Sequence, residues 1–270
     1  MTESNQPIPV REFSSDALKT AVFANRQDMG KAAALYVARV LQDLQADRDE
    51  IRIVVGSAPS QDEFFAHLID LSQSAGIDWS KIVVFHMDEY VGLAAEHPQS
   101  FRTYQREHFV TKVPLKAFHQ IQGEALDPQA ECHRLSVLLE EKPIDLACCG
   151  IGENGHLAFN DPPVADFDDP EWVKVVAMDE VCRQQQVNDG CFPSIDAVPT
   201  HAITLTLKVF ANAAKLSCVV PARTKAEAVA ATLNDPISTV CPATLLRQHP
   251  DARLFLEPDS AALLWSLEIV

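Results

Sequence analysis

The 270-residue sequence contains 22 basic and 38 acidic residues, which gives a formal net charge of −16 at pH 7. So acidic a protein is not expected to bind nucleic acid or an anionic membrane, because both require a basic face, although local cations or helix N-termini would still bind a small anionic substrate. No apolar run approaches the roughly 18 residues of a membrane span, and the polar N-terminus does not predict a signal peptide. The seven cysteines include no C-x-x-C pair and indicate a reducing, cytoplasmic compartment.

The hydrophobic pattern predicts strands and helices that alternate through most of the chain. Residues 1–17 are predicted to form a loosely held N-terminal arm, followed by a single domain over 18–270. The predicted strands are 51–55, 81–86, 144–149, 173–177, 202–206, 215–220 and 252–257. The predicted helices are 28–44, one from about 61, 100–108, 128–139, 207–213, 224–234 and 242–248. This alternation is typical of an α/β fold, a Rossmann-like, doubly wound and mostly parallel sheet with helices on both faces.

Three predicted loops, 56–61, 88–92 and 150–161, follow strands directly. In a doubly wound sheet, ligands bind at the carboxyl ends of the strands, so these loops are candidates for one site. Ser60, with Glu63 three residues later, fits a capping box, and a capped helix N-terminus after a small-residue loop would bind an anion. The simpler interpretation is that Ser60 only caps its own helix.

The third loop contains a glycine-rich turn, with the sequence GIGENGHLAFNDP over residues 150–162. Its G-x-G-x-x-G spacing matches the dinucleotide fingerprint, which normally opens the long helix of a first βαβ unit. Here the motif lies in mid-chain and prolines follow within eight residues, so a nicotinamide or flavin enzyme is not favoured. The turn between His156 and Asp161 allows an imidazole–carboxylate pair.

Two adjacent acids, Asp88 and Glu89, follow the predicted strand 81–86. An acid at a strand end often only starts a loop, but a carboxylate in a dry cleft can have its pKa raised into the range of a general base. His86, Asp88, Glu89 and His156 would alternatively make a metal site, which is disfavoured because no helical H-x-x-x-H pair exists. The residues therefore favour an enzyme that acts on a small polar substrate, with Asp88 and His156 as its acid/base groups.

Two sequence motifs, one after the predicted strand 81–86 and one in the glycine-rich turn, are similar to motifs of a known family. Residues 87–93 (MDEYVGL) with 96–101 (EHPQSF), and the turn at 150–162, resemble hallmark segments of the glucosamine-6-phosphate deaminases, and the resemblance extends from about residue 50 to 257. It implies an enzyme that opens the ring of an amino-sugar 6-phosphate and moves a proton between C2 and C1 through an enediol-type intermediate. Ammonia then leaves and a ketose 6-phosphate remains, with no metal or organic cofactor.

The resemblance also implies roles for individual residues. Asp88 is the base that moves the proton, His156 is the acid/base of ring opening, and Asp161 orients that histidine. The predicted catalytic residues are Asp88, His156, Asp161, Asn154 and Glu153. The predicted substrate- and phosphate-binding residues are Ser57, Ser60, Gln61, Glu89, Gly152, Arg183 and Lys225. Among the latter, Arg183 belongs to a mobile lid and Lys225 to the first turn of a helix that Thr224 and Glu227 would cap.

The chain departs from the family pattern inside these motifs. Asn154 stands where the family has Asp, and Asp161 stands where it has Glu. The loop at 57–61 lacks the paired glycines of the family, and about six extra residues appear between Arg183 and Val198. We hypothesise that Glu153 takes over the carboxylate role lost at Asn154.

Three alternatives to glucosamine 6-phosphate deamination remain. The related 6-phosphogluconolactonases share the fold, but they carry an Arg after the Asp-Glu pair and a Ser-rich stretch after the histidine, and this chain has neither. A deaminase for another hexosamine phosphate, such as galactosamine 6-phosphate, fits the same motifs. A non-catalytic sugar-phosphate sensor would have no need of Asp88 and His156. The expected partner is a sugar phosphate, and the sequence leaves a homo-oligomer open.

Overall fold

Strands and helices alternate through the part of the chain that the computed structural model describes, which is residues 6–265, with only the backbone of Gln73. The strands are β1 Arg11–Ser15, β2 Leu18–Val22, β3 Ile51–Val55, β4 Ile82–His86, β5 Asp88–Tyr90, β6 Ala117–His119, β7 Leu146–Cys149, β8 Val173–Ala177, β9 His201–Leu205, β10 Leu216–Val220 and β11 Ala252–Leu256. The helices are α1 Arg26–Gln45, α2 Asp62–Ser74, α3 Phe101–Gln105, α4 Pro128–Glu141, α5 Glu180–Asn188, α6 Leu207–Asn212 and α7 Ala226–Asn234. None of the helices in this part of the chain has the length and apolarity needed to cross a membrane.

Eight strands form the central sheet, in the order β1-β2-β11-β10-β7-β3-β4-β6. Every neighbouring pair is parallel except β1 with β2. All residues of β3, β4, β7 and β10 are buried, as expected for parallel strands that are covered on both faces. The mostly parallel α/β fold predicted from the sequence is confirmed.

Alternate residues of the central strands pack into two separate cores. Ile51, Ile53 and Val55 of β3 belong to the cluster that includes apolar residues of α1 and α2, whereas Val54 belongs to the cluster that includes residues of α4 and α7. Because successive side chains of a strand point to opposite faces, this division requires helices on both faces of the sheet. The doubly wound arrangement leaves the carboxyl ends of the strands as the place for a ligand.

A second sheet, which the sequence did not predict, has the order β5-β9-β8 and is antiparallel throughout. The predicted strands 173–177 and 202–206 are observed, but they belong to this second sheet and not to the single sheet that was expected, and the predicted loop 88–92 begins with the strand β5. Apolar runs identify strands but do not reveal their partners, and β5 is a three-residue strand that contains two acids. In this small sheet Asp88 lies opposite Thr204.

The predicted arm over residues 1–17 is wrong for its last part, because Arg11–Ser15 form β1. This strand pairs with β2 in a hairpin, and β2 in turn joins the main sheet beside β11. β1 is an edge strand with mostly exposed or half-buried side chains, so it lacks the apolar pattern that identifies buried strands. Residues 1–5 of the predicted arm lie outside the described part of the chain.

Candidate active site

A cavity of about 130 Å³ is lined by the loops that follow β3, β4, β7 and β10. These loops contain the three stretches that the sequence analysis singled out. The predicted site residues that line the cavity are Ser57, Ser60, Gln61, Asp88, Gly152, His156 and Lys225. A larger cavity, of about 450 Å³, lies between the β1–β2 hairpin and α1. None of the predicted catalytic residues lines that second cavity, so the chemistry belongs to the smaller one.

Asp88 is a buried carboxylic acid at the first position of β5. Its side chain lines the cavity, and its Oδ1 atom has no hydrogen-bond partner within the described part of the chain. Burial, and secondarily the charge of Glu89, raise the pKa of Asp88 to about 8. A carboxyl with a pKa near neutrality both accepts and returns a proton, as a general base that works by proton shuttling must.

Glu89, although adjacent to Asp88, is not among the described residues that line the cavity, so its predicted role in substrate binding stays a prediction. Neighbouring side chains of a strand point to opposite faces, so Glu89 points away from the cavity. Its carboxylate is fully buried and accepts hydrogen bonds from the Ser100 hydroxyl at 2.8 Å and from the backbone N–H groups of Phe101 and Arg102. Arg102 Nε lies 3.2 Å from it. Glu89 is thus an internal anion that fixes the start of α3.

We expect Glu89→Ala to destabilise the protein by about 3–5 kcal/mol, because it leaves the buried Arg102 guanidinium with only the half-exposed Glu124 as its counter-ion and removes the acceptor of the donors at the start of α3. The free energy of unfolding in urea measures this effect. Glu140→Ala, at an exposed position of α4, is the control for loss of one glutamate. A stable Glu89→Ala variant with impaired substrate affinity would restore the predicted binding role.

His156 is held by two acceptors on one ring nitrogen. Its Nδ1 lies 2.8 Å from Asp161 Oδ1 and 2.8 Å from Asn154 Oδ1. Because both partners accept, Nδ1 carries the proton, and Nε2 is the nitrogen left for a substrate. Burial opposes ionisation of Asp161, but the bonds from His156, Asn154 and the Asp179 N–H keep the pKa of that carboxyl below its ordinary value. Asp161 therefore supplies a fixed negative charge behind the imidazole.

Gly152 contributes space to the site. A Cβ atom at this position would lie 2.2 Å from Nε2 and Cε1 of His156. Any side chain would therefore push the imidazole out of its place against Asn154 and Asp161. Gly152 lines the cavity, but its structural effect is to let the backbone approach the histidine ring.

Asn154 fits its surroundings better than an aspartate would. Its Nδ2 donates to Asp161 at 3.0 Å and to Asp179 at 3.2 Å, while its Oδ1 accepts from the backbone N–H of His156 at 3.1 Å. An aspartate here would place a third carboxylate beside two others and remove the donor that joins them. The amide at 154 is therefore the complement of two acids.

The side chain of Glu153 lies against Asn188 and Lys225, an arrangement that does not support the hypothesis that it takes over the carboxylate role missing at Asn154. Its Oε2 accepts a bond from Asn188 at 3.2 Å, and its Oε1 lies 3.9 Å from Lys225 Nζ. The imidazole of His156 is bonded instead by Asn154 and Asp161. The Glu153 side chain therefore belongs to the lysine end of the site.

That end of the cavity contains hydroxyl, amide and ammonium groups. Lys225 is 6% exposed, and its Nζ has no hydrogen-bond partner within the described part of the chain. Burial lowers the pKa of Lys225, while the nearby Asp189 and Glu153 oppose that change. Gln61 Nε2 contacts Ser60 Oγ at 3.2 Å. A buried ammonium without a partner indicates a place for an anion.

Neither predicted capping box forms, because the helices begin later than expected. Short 3₁₀ segments, Pro59–Gln61 and Arg223–Lys225, precede α2 and α7, and no side chain caps either helix. The hydroxyl of Ser60 is consequently not used by its own helix. The carboxylate of Glu63, which was expected to complete that box, instead contacts Arg26 at 2.7 Å.

Arg183 is not among the described residues that line the cavity, so its predicted phosphate-binding role stays a prediction that this arrangement does not support. Its Nη2 donates to the carbonyl oxygens of Ile195 and Val198, at 2.6 and 3.1 Å. These bonds hold the connection between α5 and β9, where the extra residues of this chain lie. The arginine that does line the cavity is Arg26. In the sequence it stands two residues before the first predicted helix, 28–44, where nothing marked it as a site residue.

The cavity wall contributed by α5 was also missed. Gln185, Gln186, Asp189 and Cys191 line the cavity. The sequence around them is polar and has no clear apolar face, so periodicity did not identify a helix there. The signal that was available is the run of three glutamines after Arg183.

His156, Asp161 and Cys182 are the cluster of potential metal ligands found in the described residues. The imidazole and carboxylate already bond to each other, and burial, together with Asp161, raises the pKa of the Cys182 thiol well above its ordinary value. A protonated thiol is a poor metal ligand. His86, named in the alternative metal site, is fully buried, and burial lowers its pKa to about 3.

Comparisons with known proteins agree with this geometry. The sequence model of the family described as glucosamine-6-phosphate isomerases/6-phosphogluconolactonase matches residues 24–255. A glucosamine-6-phosphate deaminase of Listeria monocytogenes serotype 4a (strain HCC23) is 35% identical over 212 residues, which are 78% of this chain and 86% of that protein. The corresponding protein of Thermoanaerobacter pseudethanolicus is 31% identical over 250 residues, 92% of this chain and 95% of that protein.

Solved structures show the same fold. A monomeric glucosamine-6-phosphate deaminase superposes with a TM-score of 0.82 and 26% identity, covering 90% of this chain and 99% of that one. A 6-phosphogluconolactonase from Thermotoga maritima superposes with a TM-score of 0.70 at 18% identity, covering 88% of this chain and 100% of that one, a likeness of fold alone.

Proposed function

The chain belongs to the glucosamine-6-phosphate isomerase/6-phosphogluconolactonase family and is an enzyme, and we propose that it is an amino-sugar-6-phosphate deaminase. Its substrate under this proposal is glucosamine 6-phosphate, and its products are fructose 6-phosphate and ammonia. The two relatives described above carry the name of this activity. No metal or organic cofactor takes part in the reaction as proposed.

The arrangement of the site supplies each proton transfer that the reaction requires. Nε2 of His156 takes the proton of the C1 hydroxyl and delivers it to the ring oxygen as the pyranose opens, while Asp161 and Asn154 hold the imidazole in place. Asp88 removes the proton from C2 and delivers it to C1, while O1 gains a proton and the amino nitrogen loses one, so the open-chain aldehyde passes through an enediol-type (enolamine) intermediate to an imine at C2. Water adds to that imine, and ammonia leaves. The net reaction consumes one water molecule.

The observation that carries the proposal is the state of Asp88. A base that takes a proton from carbon and returns it to the neighbouring carbon must hold the proton between the two events. A buried carboxyl with an unpartnered oxygen and a pKa of about 8 is suited to that task. Asp88 lines the same cavity as His156 and the buried Lys225.

An assay of ammonia release across a panel of hexosamine 6-phosphates tests the proposal. We expect glucosamine 6-phosphate to be turned over, with galactosamine 6-phosphate as the comparison for C4 stereochemistry. Acid release from 6-phosphogluconolactone is measured in parallel. Acid release without ammonia release would establish the lactonase instead, and binding without either reaction would establish a sensor.

We expect Lys225→Ala to raise the KM for glucosamine 6-phosphate about 10- to 100-fold, because it removes a charge-assisted hydrogen bond to the phosphate. The effect on kcat should be smaller. Steady-state kinetics with glucosamine 6-phosphate and with unphosphorylated glucosamine separates the two contributions. Lys208→Ala, at a residue that contacts Pro170 outside the cavity, is the control. An equal loss for both sugars would contradict a phosphate role for Lys225.

A further inference from the structure

The positive charge in the cavity is scarce and partly offset. Within the described part of the chain, Arg26 and Lys225 are the lysine and arginine side chains that line it. Lys225 has the carboxylate of Glu153 at 3.9 Å and is influenced by Asp189. A phosphate monoester carries nearly two negative charges at neutral pH. Lys225 alone would leave that charge undercompensated in a partly buried site.

We propose that Arg26 is the second phosphate-binding cation of this enzyme, in the role that the sequence analysis gave to Arg183. The inference rests on the proposed function, since the ligand group is the phosphate of the sugar phosphate. The guanidinium of Arg183 is occupied by two carbonyl oxygens away from the cavity. Arg26 instead lines the same cavity as Ser57, Ser60 and Lys225.

The packing of the first two helices brings Arg26 to the cavity. Arg26 and Gly30 are four residues apart and therefore lie on the same face of α1. A Cβ atom on Gly30 would lie 2.5 Å from Cβ of Glu63, so the glycine lets α1 approach the first turn of α2 closely. This close approach places Arg26 beside the loop at 57–61 and in contact with Glu63.

The guanidinium is oriented but not used up. Its Nε lies 2.7 Å from Glu63 Oε1, and its Nη2 donates to the carbonyl oxygen of Pro59 at 2.5 Å. The bond to Pro59 uses one of the five N–H donors of an arginine and the contact with Glu63 is an ion pair in which Nε makes no hydrogen bond to the described residues, so the rest of the planar fork is available to an anion. Pro59 begins the 3₁₀ segment Pro59–Gln61, and Glu63 follows that segment by two residues. Arg26 is therefore attached to the same loop with which it would bind the phosphate.

The position of Arg26 is also unfavourable for the helix itself. It is the first residue of α1, where the helix dipole favours acidic side chains and disfavours basic ones. Asn25 caps the helix and Asp28 supplies the favourable acid, so Arg26 is not needed for the stability of the helix. A role in ligand binding accounts for a cation at this place.

Binding of inorganic phosphate tests the proposal without requiring turnover. We expect Arg26→Ala to weaken phosphate binding about 10- to 100-fold in isothermal titration, with Arg26→Lys intermediate because a lysine keeps the charge but loses the fork. Arg39→Ala removes the same charge from an exposed position of α1 and should bind phosphate like the unmodified protein. Arg183→Ala should do the same, provided that circular dichroism shows it folded.

Kinetics then separates this inference from the function on which it rests. If glucosamine 6-phosphate is turned over, Arg26→Ala should raise its KM by a similar factor while kcat changes little. If no sugar phosphate is turned over but phosphate binding depends on Arg26, the proposed deaminase fails and the phosphate site stands. Unchanged phosphate affinity in folded Arg26→Ala, or a loss in Arg183→Ala alone, overturns the assignment.

Discussion

Asp88→Asn should reduce the turnover of glucosamine 6-phosphate about 10³-fold or more, while the fold and the affinity for phosphate persist. The amide has nearly the same shape as the carboxyl but cannot accept the proton from C2. Asp43→Asn, the same chemical change at an exposed position of α1, is the control. Exchange of the C2 proton with deuterated water gives an independent measure of the same step. Turnover within tenfold of the unmodified enzyme would show that Asp88 is not the base.

The raised pKa of Asp88 also predicts how this variant behaves with pH. The folded protein holds the proton up to about pH 8, whereas an unfolded aspartate loses it near pH 4. Between these two values the folded state binds more protons, so this group makes the protein less stable as pH rises from about 4 to 8. Asp88→Asn removes that dependence, and its stability relative to the unmodified protein should increase across this interval. In the unmodified enzyme, kcat/KM should rise with pH as Asp88 loses its proton near pH 8.

His156→Gln should lower kcat for the cyclic substrate by about 10²–10⁴-fold, because it removes the imidazole that carries the proton to the ring oxygen under the proposed mechanism. A substrate that lacks O5 cannot close a pyranose ring and does not need this step. We expect the variant to process such an open-chain analogue at close to the rate of the unmodified enzyme. His133→Gln, on the exposed side of α4, is the control. An equal loss on both substrates would assign His156 to a later step than ring opening.

The part of the fold that the sequence predicted well is the part governed by continuous apolar runs. β3, β4, β7 and β10 are buried on both faces, and each was predicted within about two residues of its observed bounds. The glycine turn and the acids after β4 then fell together at one edge, because parallel strands end there. The hydrophobic pattern was less informative where one side of a strand or helix is open to water. The edge strand β1 and the polar helix α5 were missed for that reason.

The site shows the same limit at the level of single side chains. Sequence placed Asp88 and His156 in one cavity, but it could not tell that Glu89 faces the opposite way, since the short strand β5 was taken for a loop. The sequence also could not show which arginine, Arg26 or Arg183, lines the cavity. Arg183 lies near the family motif in sequence but bonds to a neighbouring loop, whereas Arg26 reaches the cavity only through the close packing of α1 and α2. Contacts between elements distant in sequence decided both cases.

The carboxylate of Asp161 connects His156 to α5, the helix that forms one wall of the cavity. Asp161 bonds Nδ1 of His156 with one oxygen and the backbone N–H of Asp179, the residue before α5, with the other. A shift of α5 that weakens the second bond would also change how firmly Asp161 holds the imidazole ring, so the position of α5 and the orientation of His156 are coupled. Substitutions at 154, 161 and 179 should therefore combine non-additively. A substitution in the α5 wall that changes the substrate preference would therefore also change how the His156 imidazole is held.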